Sequence, residues 1–66
     1  MIRVTINGDT REVTEGSIAE LLDQLGLHPQ LIVVEHNREI LDRNAFEVTQ
    51  LRAGDTVELV HFVGGG

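Results

Sequence analysis

From its first residues the chain alternates: Ile2, Val4 and Ile6 are apolar, Arg3 and Thr5 polar. A period of two predicts a strand with one buried face. Asn7-Gly8 follows, a pair that tolerates positive φ, and marks a hairpin turn. TREV (10–13) returns as a second strand anchored by Val13. The period then changes. Ile18, Leu21, Leu22 and Leu25 fall at i, i+3, i+4 and i+7, one apolar stripe along a helix. Ser17 and Glu20 have capping-box spacing at its start, and Gly26 stands where a left-handed residue would end it. A helix of about nine residues does not persist alone in water, so it is expected to lie on a sheet.

Past Pro29, LIVVEHNREIL (31–41) predicts a third strand, a tight turn at Asn37-Arg38 and a short fourth strand. The run Leu31 to Val34 is apolar on both faces, which suits a central strand or one covered on its second face. DRNAFEVTQLRAGD (42–55) is expected to be irregular, with Phe46, Val48 and Leu51 as apolar plugs and a turn at Ala53-Gly54-Asp55. A last strand is predicted over Val57 to Val63. The order β-β-α-β-β-β implies an α+β fold, the ubiquitin-like β-grasp. Its sheet is mixed, four- to five-stranded, with one main helix packed on one face. The expected division is a β-grasp domain over 1–63 and a flexible glycine tail over 64–66. In this fold the first and last strands lie side by side at the centre, so the tail leaves from mid-sheet.

Composition narrows the chemistry. With 66 residues and no cysteine, neither disulfides nor a cysteine metal site can help a small core. Apolar residues make up 41% of the chain, enough to pack one domain. The net charge is −6, eleven acidic residues against five arginines, and the basic footprint of a nucleic-acid binder is missing. No apolar run approaches a membrane span of about 20 residues, and MIRVTING does not read as a signal peptide, so a cytoplasmic location is expected. His28, His36 and His61 lack ligand spacing, and no metal site is expected.

The sharpest feature is the ending, VELVHFVGGG. Three glycines extend at most about 10 Å and can pass where any residue with a Cβ cannot. The carboxylate of Gly66, with a pKa of about 3.5, is ionised at neutral pH and a poor acyl donor until activated. Activation by nucleotidyl transfer needs Mg²⁺ and a phosphate cradle, yet the chain has no glycine-rich loop before a helix, no lysine and no cysteine nucleophile. It is therefore expected to be a substrate or carrier and not an enzyme. Strand alternation puts Val57 and Leu59 in the core and leaves Val60 and Phe62 as an exposed apolar pair beside the tail.

HFVGGG at the end, IVVEHNREI in the middle and GDTVELV leading into the last strand resemble the ThiS family, sulfur carriers of bacterial thiamine (thiazole) biosynthesis, over essentially the whole chain. The resemblance implies that an E1-like adenylyltransferase, bringing its own ATP and Mg²⁺, adenylates the Gly66 carboxylate. A sulfur-donating persulfide protein then displaces AMP to leave a thiocarboxylate, and thiazole synthase takes up the sulfur. No cofactor is bound by the chain itself, and Gly64 and Gly65 serve channel entry. By similarity to the recognition patch of ubiquitin, Val34 is expected to neighbour Val60, so that Val34, Val60 and Phe62 dock partners. Three alternatives stay open: the small subunit of molybdopterin synthase, a ubiquitin-like protein modifier, and a β-grasp interaction module whose carboxylate is never conjugated.

Overall fold

The opening hairpin forms as its alternation requires. In the computed structural model, which describes residues 1–62, β1 (Ile2–Ile6) pairs antiparallel with β2 (Asp9–Val13), from Ile2 opposite Val13 to Ile6 opposite Asp9. Asn7 and Gly8 between them have φ of 48° and 86°, the left-handed values that let a two-residue turn follow the strand twist. Helix α1 (Ile18–Gln24) starts on the expected capping box: the Ser17 hydroxyl accepts from the Glu20 N–H at 3.1 Å, and the Glu20 carboxylate accepts from the Ser17 N–H at 2.9 Å. It ends at Gly26, φ 71°, with the Leu27 N–H bonded to the Leu22 carbonyl and the Gly26 N–H to that of Asp23. These two bonds make a Schellman closure. Ile18, Leu21 and Leu22 are buried against the sheet.

The sheet has five strands in the order β2-β1-β5-β3-β4, adding β3 (Ile32–His36), β4 (Glu39–Leu41) and β5 (Thr56–His61). β5 lies at the centre, parallel to β1 and antiparallel to β3. The α+β architecture, a mixed sheet with one helix on one face, is the one predicted. The core gathers Val4, Ile6, Val13, Ile32, Val34 and Val57 from the sheet beneath α1, closed by Phe46 and Leu51.

Three local expectations are corrected. Leu31 belongs to a 3₁₀ turn (Pro29–Leu31) and not to β3, and it is half exposed. Val48 is no plug. The Val48 N–H bonds back to the Ala45 carbonyl as the chain coils after a second 3₁₀ turn (Arg43–Ala45), leaving its side chain exposed. The third correction concerns Val34, which is fully buried, with consequences for docking described below. The 42–55 segment is also more ordered than its composition suggests. The carbonyls of Thr49 and Phe46 accept from the first helical N–H groups, Ile18 and Ala19, each at 2.9 Å, so the loop satisfies donors that a helix start leaves open. The last strand is described to His61, and Val63 and the glycines lie outside the described residues.

Candidate interaction site at the end of the central strand

β5 is held on both flanks at its start and on one flank at its end. Towards β3 the pairing is continuous, from His36 opposite Val57 to Ile32 opposite His61, and the Phe62 N–H adds a bond to the Leu31 carbonyl at 2.9 Å. Towards β1 the ladder is short, because β1 ends at Ile6, opposite Val57. Alternate residues of β5 face opposite sides. Val57 and Leu59 turn under the helix, His61 lies exposed on the same side of the strand, and Glu58, Val60 and Phe62 face outward.

The outer face near the end of β5 is apolar. Val60 is 60% exposed and Phe62 52%. Val33, opposite Val60 in the ladder, is half-buried beside it, and Leu31 adds a half-exposed side chain next to Phe62. One step further along, Glu58 stands opposite Glu35, two like charges on neighbouring strands that repel each other. An apolar patch bordered by carboxylates favours a partner with an apolar centre and a cationic rim. Of the three residues expected to dock, Val60 and Phe62 lie on this surface. Val34 does not: it is opposite Leu59 and fully covered by the helix side of the core. The four-residue apolar run of the third strand concealed its register, and a slip of one residue exchanges the faces. Val33 is the residue that neighbours Val60.

The opposite face of the same strand end borders a shallow open groove of about 400 Å³, with Leu25, Leu27 and Leu59 in its floor and Arg11 and His61 at its rim. At the far end of β5 lies a polar cluster that the sequence did not reveal. The Asp55 carboxylate accepts from His36 Nε2 at 2.8 Å, from the Arg52 N–H at 2.9 Å and from Asn37 Nδ2 at 3.2 Å. Burial pushes the Asp55 carboxyl up, but these hydrogen bonds, His36 foremost, outweigh it and hold the pKa below its ordinary 3.8. His36 and Asp55 are 19 residues apart, and only the antiparallel return of β5 beside β3 brings them together. Among the described residues no three His, Cys, Asp or Glu side chains are grouped to hold a metal ion, and no helix is long and apolar enough to cross a membrane. Gly64, Gly65 and Gly66, expected to carry the chemistry, lie outside the described residues.

Comparison with known proteins agrees with this architecture. The model of the ThiS family matches residues 4–66. The sulfur carrier protein ThiS of Bacillus subtilis is 39% identical over 51 residues, 77% of this chain and 77% of that protein. A thiazole synthase of Magnetococcus marinus is 33% identical over 66 residues, which is 98% of this chain but 20% of that protein's length. The crystal structure of the thiamine biosynthesis protein ThiS of Geobacter metallireducens superposes with a TM-score of 0.85 at 36% identity, covering 98% of this chain and 100% of that one.

Proposed function

The chain belongs to the ThiS family, and from that membership we propose that it is a sulfur carrier of thiamine (thiazole) biosynthesis, worked on by partner enzymes and carrying its cargo on the Gly66 carboxylate. The observation that carries this reading is the family match running through residue 66, on a fold whose central strand leads into the glycines.

The chemistry follows from what the chain holds and lacks. A carboxylate must first be made electrophilic. An E1-like adenylyltransferase, supplying ATP and Mg²⁺, joins it to AMP with loss of pyrophosphate, because this chain has neither lysine nor cysteine to take that part. A persulfide anion on a donor protein attacks the acyl carbon, AMP leaves, and thiol cleavage of the resulting acyl disulfide frees the thiocarboxylate. Thiazole synthase then accepts the sulfur. Gly64 and Gly65 give the acyl end a stem without side chains that passes into each partner's active site. Val60 and Phe62, with Val33 in the place first given to Val34, supply the docking patch, and the cycle runs in the cytoplasm.

The test is mass spectrometry of the full chain incubated with the activating enzyme, ATP, Mg²⁺ and a persulfide donor. A gain equal to one oxygen-for-sulfur exchange on the C-terminal peptide is expected, and Gly65→Ala should suppress it. An unmodified chain under those conditions refutes the carrier role, and a covalent adduct with target lysines indicates a protein modifier instead.

A further inference from the structure

Two asparagines, both first residues of tight turns with φ near 50°, grip the central strand from opposite flanks. Asn37, beyond β3, donates its N–H to the Thr56 carbonyl at 2.8 Å and accepts from the Thr56 N–H through Oδ1 at 2.9 Å. Asn7, beyond β1, donates its N–H to the Val57 carbonyl at 2.9 Å. Its side chain then reaches one step further: Oδ1 accepts from the Leu59 N–H at 2.7 Å, and Nδ2 donates to the Leu59 carbonyl at 3.2 Å. A side-chain amide has the donor and acceptor of a peptide group. The Asn7 amide thus takes the place of the peptide that β1 would have offered had it not turned away at Gly8. After Leu59, β5 has no partner on this flank among the described residues and is held only by β3. Leu59 is therefore the last position at which the described part of β5 is held on both flanks, by Asn7 on one and by β3 on the other.

We infer that Asn7 is a positioning residue for the carrier reaction: its amide sets the direction in which the end of β5 runs, and so how Val60, Phe62 and the strand end that precedes the tail are presented relative to the rest of the sheet. The inference rests on the carrier reading above. Val60 follows the clamped residue directly and Phe62 lies two further on, so a swing of the strand at Leu59 moves patch and tail root together. Among the described residues the contacts of Asn7 with this strand are to Val57 and Leu59, and its proposed effect is exerted through β5. Asn37 provides an internal control, since it makes the same kind of clip at the opposite end of the strand and holds Asp55 as well.

The experiment compares wild type, Asn7→Gly and Asn37→Gly at a temperature where circular dichroism shows all three folded. Glycine keeps the positive φ each turn needs and removes only the amide. For Asn7→Gly, kcat/KM for thiocarboxylate formation by the activating enzyme is expected to fall about tenfold or more, since small misplacements of a reacting group are costly. Asn37→Gly is expected to stay within about twofold despite at least as large a loss of stability, because its clip is remote from the tail. Amide exchange of Leu59 relative to Val57 should accelerate in Asn7→Gly alone. Equal kcat/KM in wild type and Asn7→Gly overturns the inference and leaves the carrier reading standing, as does an equal loss in both variants. A wild-type chain that never acquires sulfur overturns the carrier reading, and the inference with it.

Discussion

Replacing Asp55, a buried carboxylate, by alanine should destabilise the fold, and the size of the loss can be worked from its three partners. The carboxylate accepts from His36, from the Arg52 N–H and from Asn37, all within 3.2 Å, and its side chain is only 11% exposed. A neutral hydrogen bond contributes about 1 kcal/mol net and one to a charged group about 1.5–3 kcal/mol. Partial solvent access lets water replace some of this, so the expected loss is about 2–3 kcal/mol. A domain of this length has only about 3–10 kcal/mol in total. The chain has no tryptophan or tyrosine, so urea unfolding is best followed by far-ultraviolet circular dichroism. With a slope of about 1 kcal/mol/M, the midpoint should fall by about 2–3 M at neutral pH. The pH dependence has a definite sign. Because the folded-state pKa is depressed, the stability due to ionised Asp55 is complete above the unfolded pKa of about 3.9 and is lost as pH falls through the lower folded value. The gap between wild type and variant should therefore narrow below about pH 4. A midpoint shift under about 0.5 M at pH 7, or a gap that fails to narrow below about pH 4, would refute this account of the cluster.

Adjacent valines of β3 should separate folding from docking. Val34→Ala, in the packed core, is expected to cost about 2 kcal/mol in urea unfolding. Val33→Ala should cost less than about 1 kcal/mol and, on the carrier reading, weaken the complex with the activating enzyme in isothermal titration. Phe62→Ala, at a half-exposed position, should leave stability within about 0.5 kcal/mol while raising the Kd of that complex about tenfold. Ser17→Ala removes the helix cap and leaves the Glu20 N–H without its acceptor, for an expected loss of about 1 kcal/mol in the same unfolding assay.

What the sequence disclosed and what it withheld divide along physical lines. Ser17, Glu20, Gly26 and Asn7-Gly8 act on neighbours a few residues away, and local spacing was sufficient to assign all of them. The hidden parts are long-range. His36 meets Asp55 only through the pairing of β3 with β5, and the Asn7 side chain meets Leu59 across 52 residues. An asparagine that suffices to make a turn gives no sign that its amide also completes a ladder. Val34 was misplaced for a different reason: where both faces of a strand are apolar, a period of two has no contrast from which to read register.

The two kinds of relative place opposite demands on the docking patch. In the thiazole synthase relative, the ThiS-like segment is 20% of a longer chain. A domain tethered to the rest of its chain meets it at an effective concentration in the millimolar range for a short flexible linker, without any strong contact of its own. A carrier that diffuses freely has no such help, and on the proposed cycle it must dock with an activating enzyme and then leave it for the synthase. Its patch must therefore hold long enough for the tail to enter and still release, which a large, uniformly apolar surface would not do. The described surface holds both ingredients: Val60 and Phe62 give a compact apolar centre, while half-buried Glu35 and exposed Glu58, already in mutual repulsion, lie beside it. A cationic partner rim relieves that repulsion, so part of the attraction is electrostatic and speeds encounter more than it slows release. Added salt should then reduce the association rate of the chain with the activating enzyme well before it changes the dissociation rate, whereas lengthening the apolar patch should trap the complex and slow turnover.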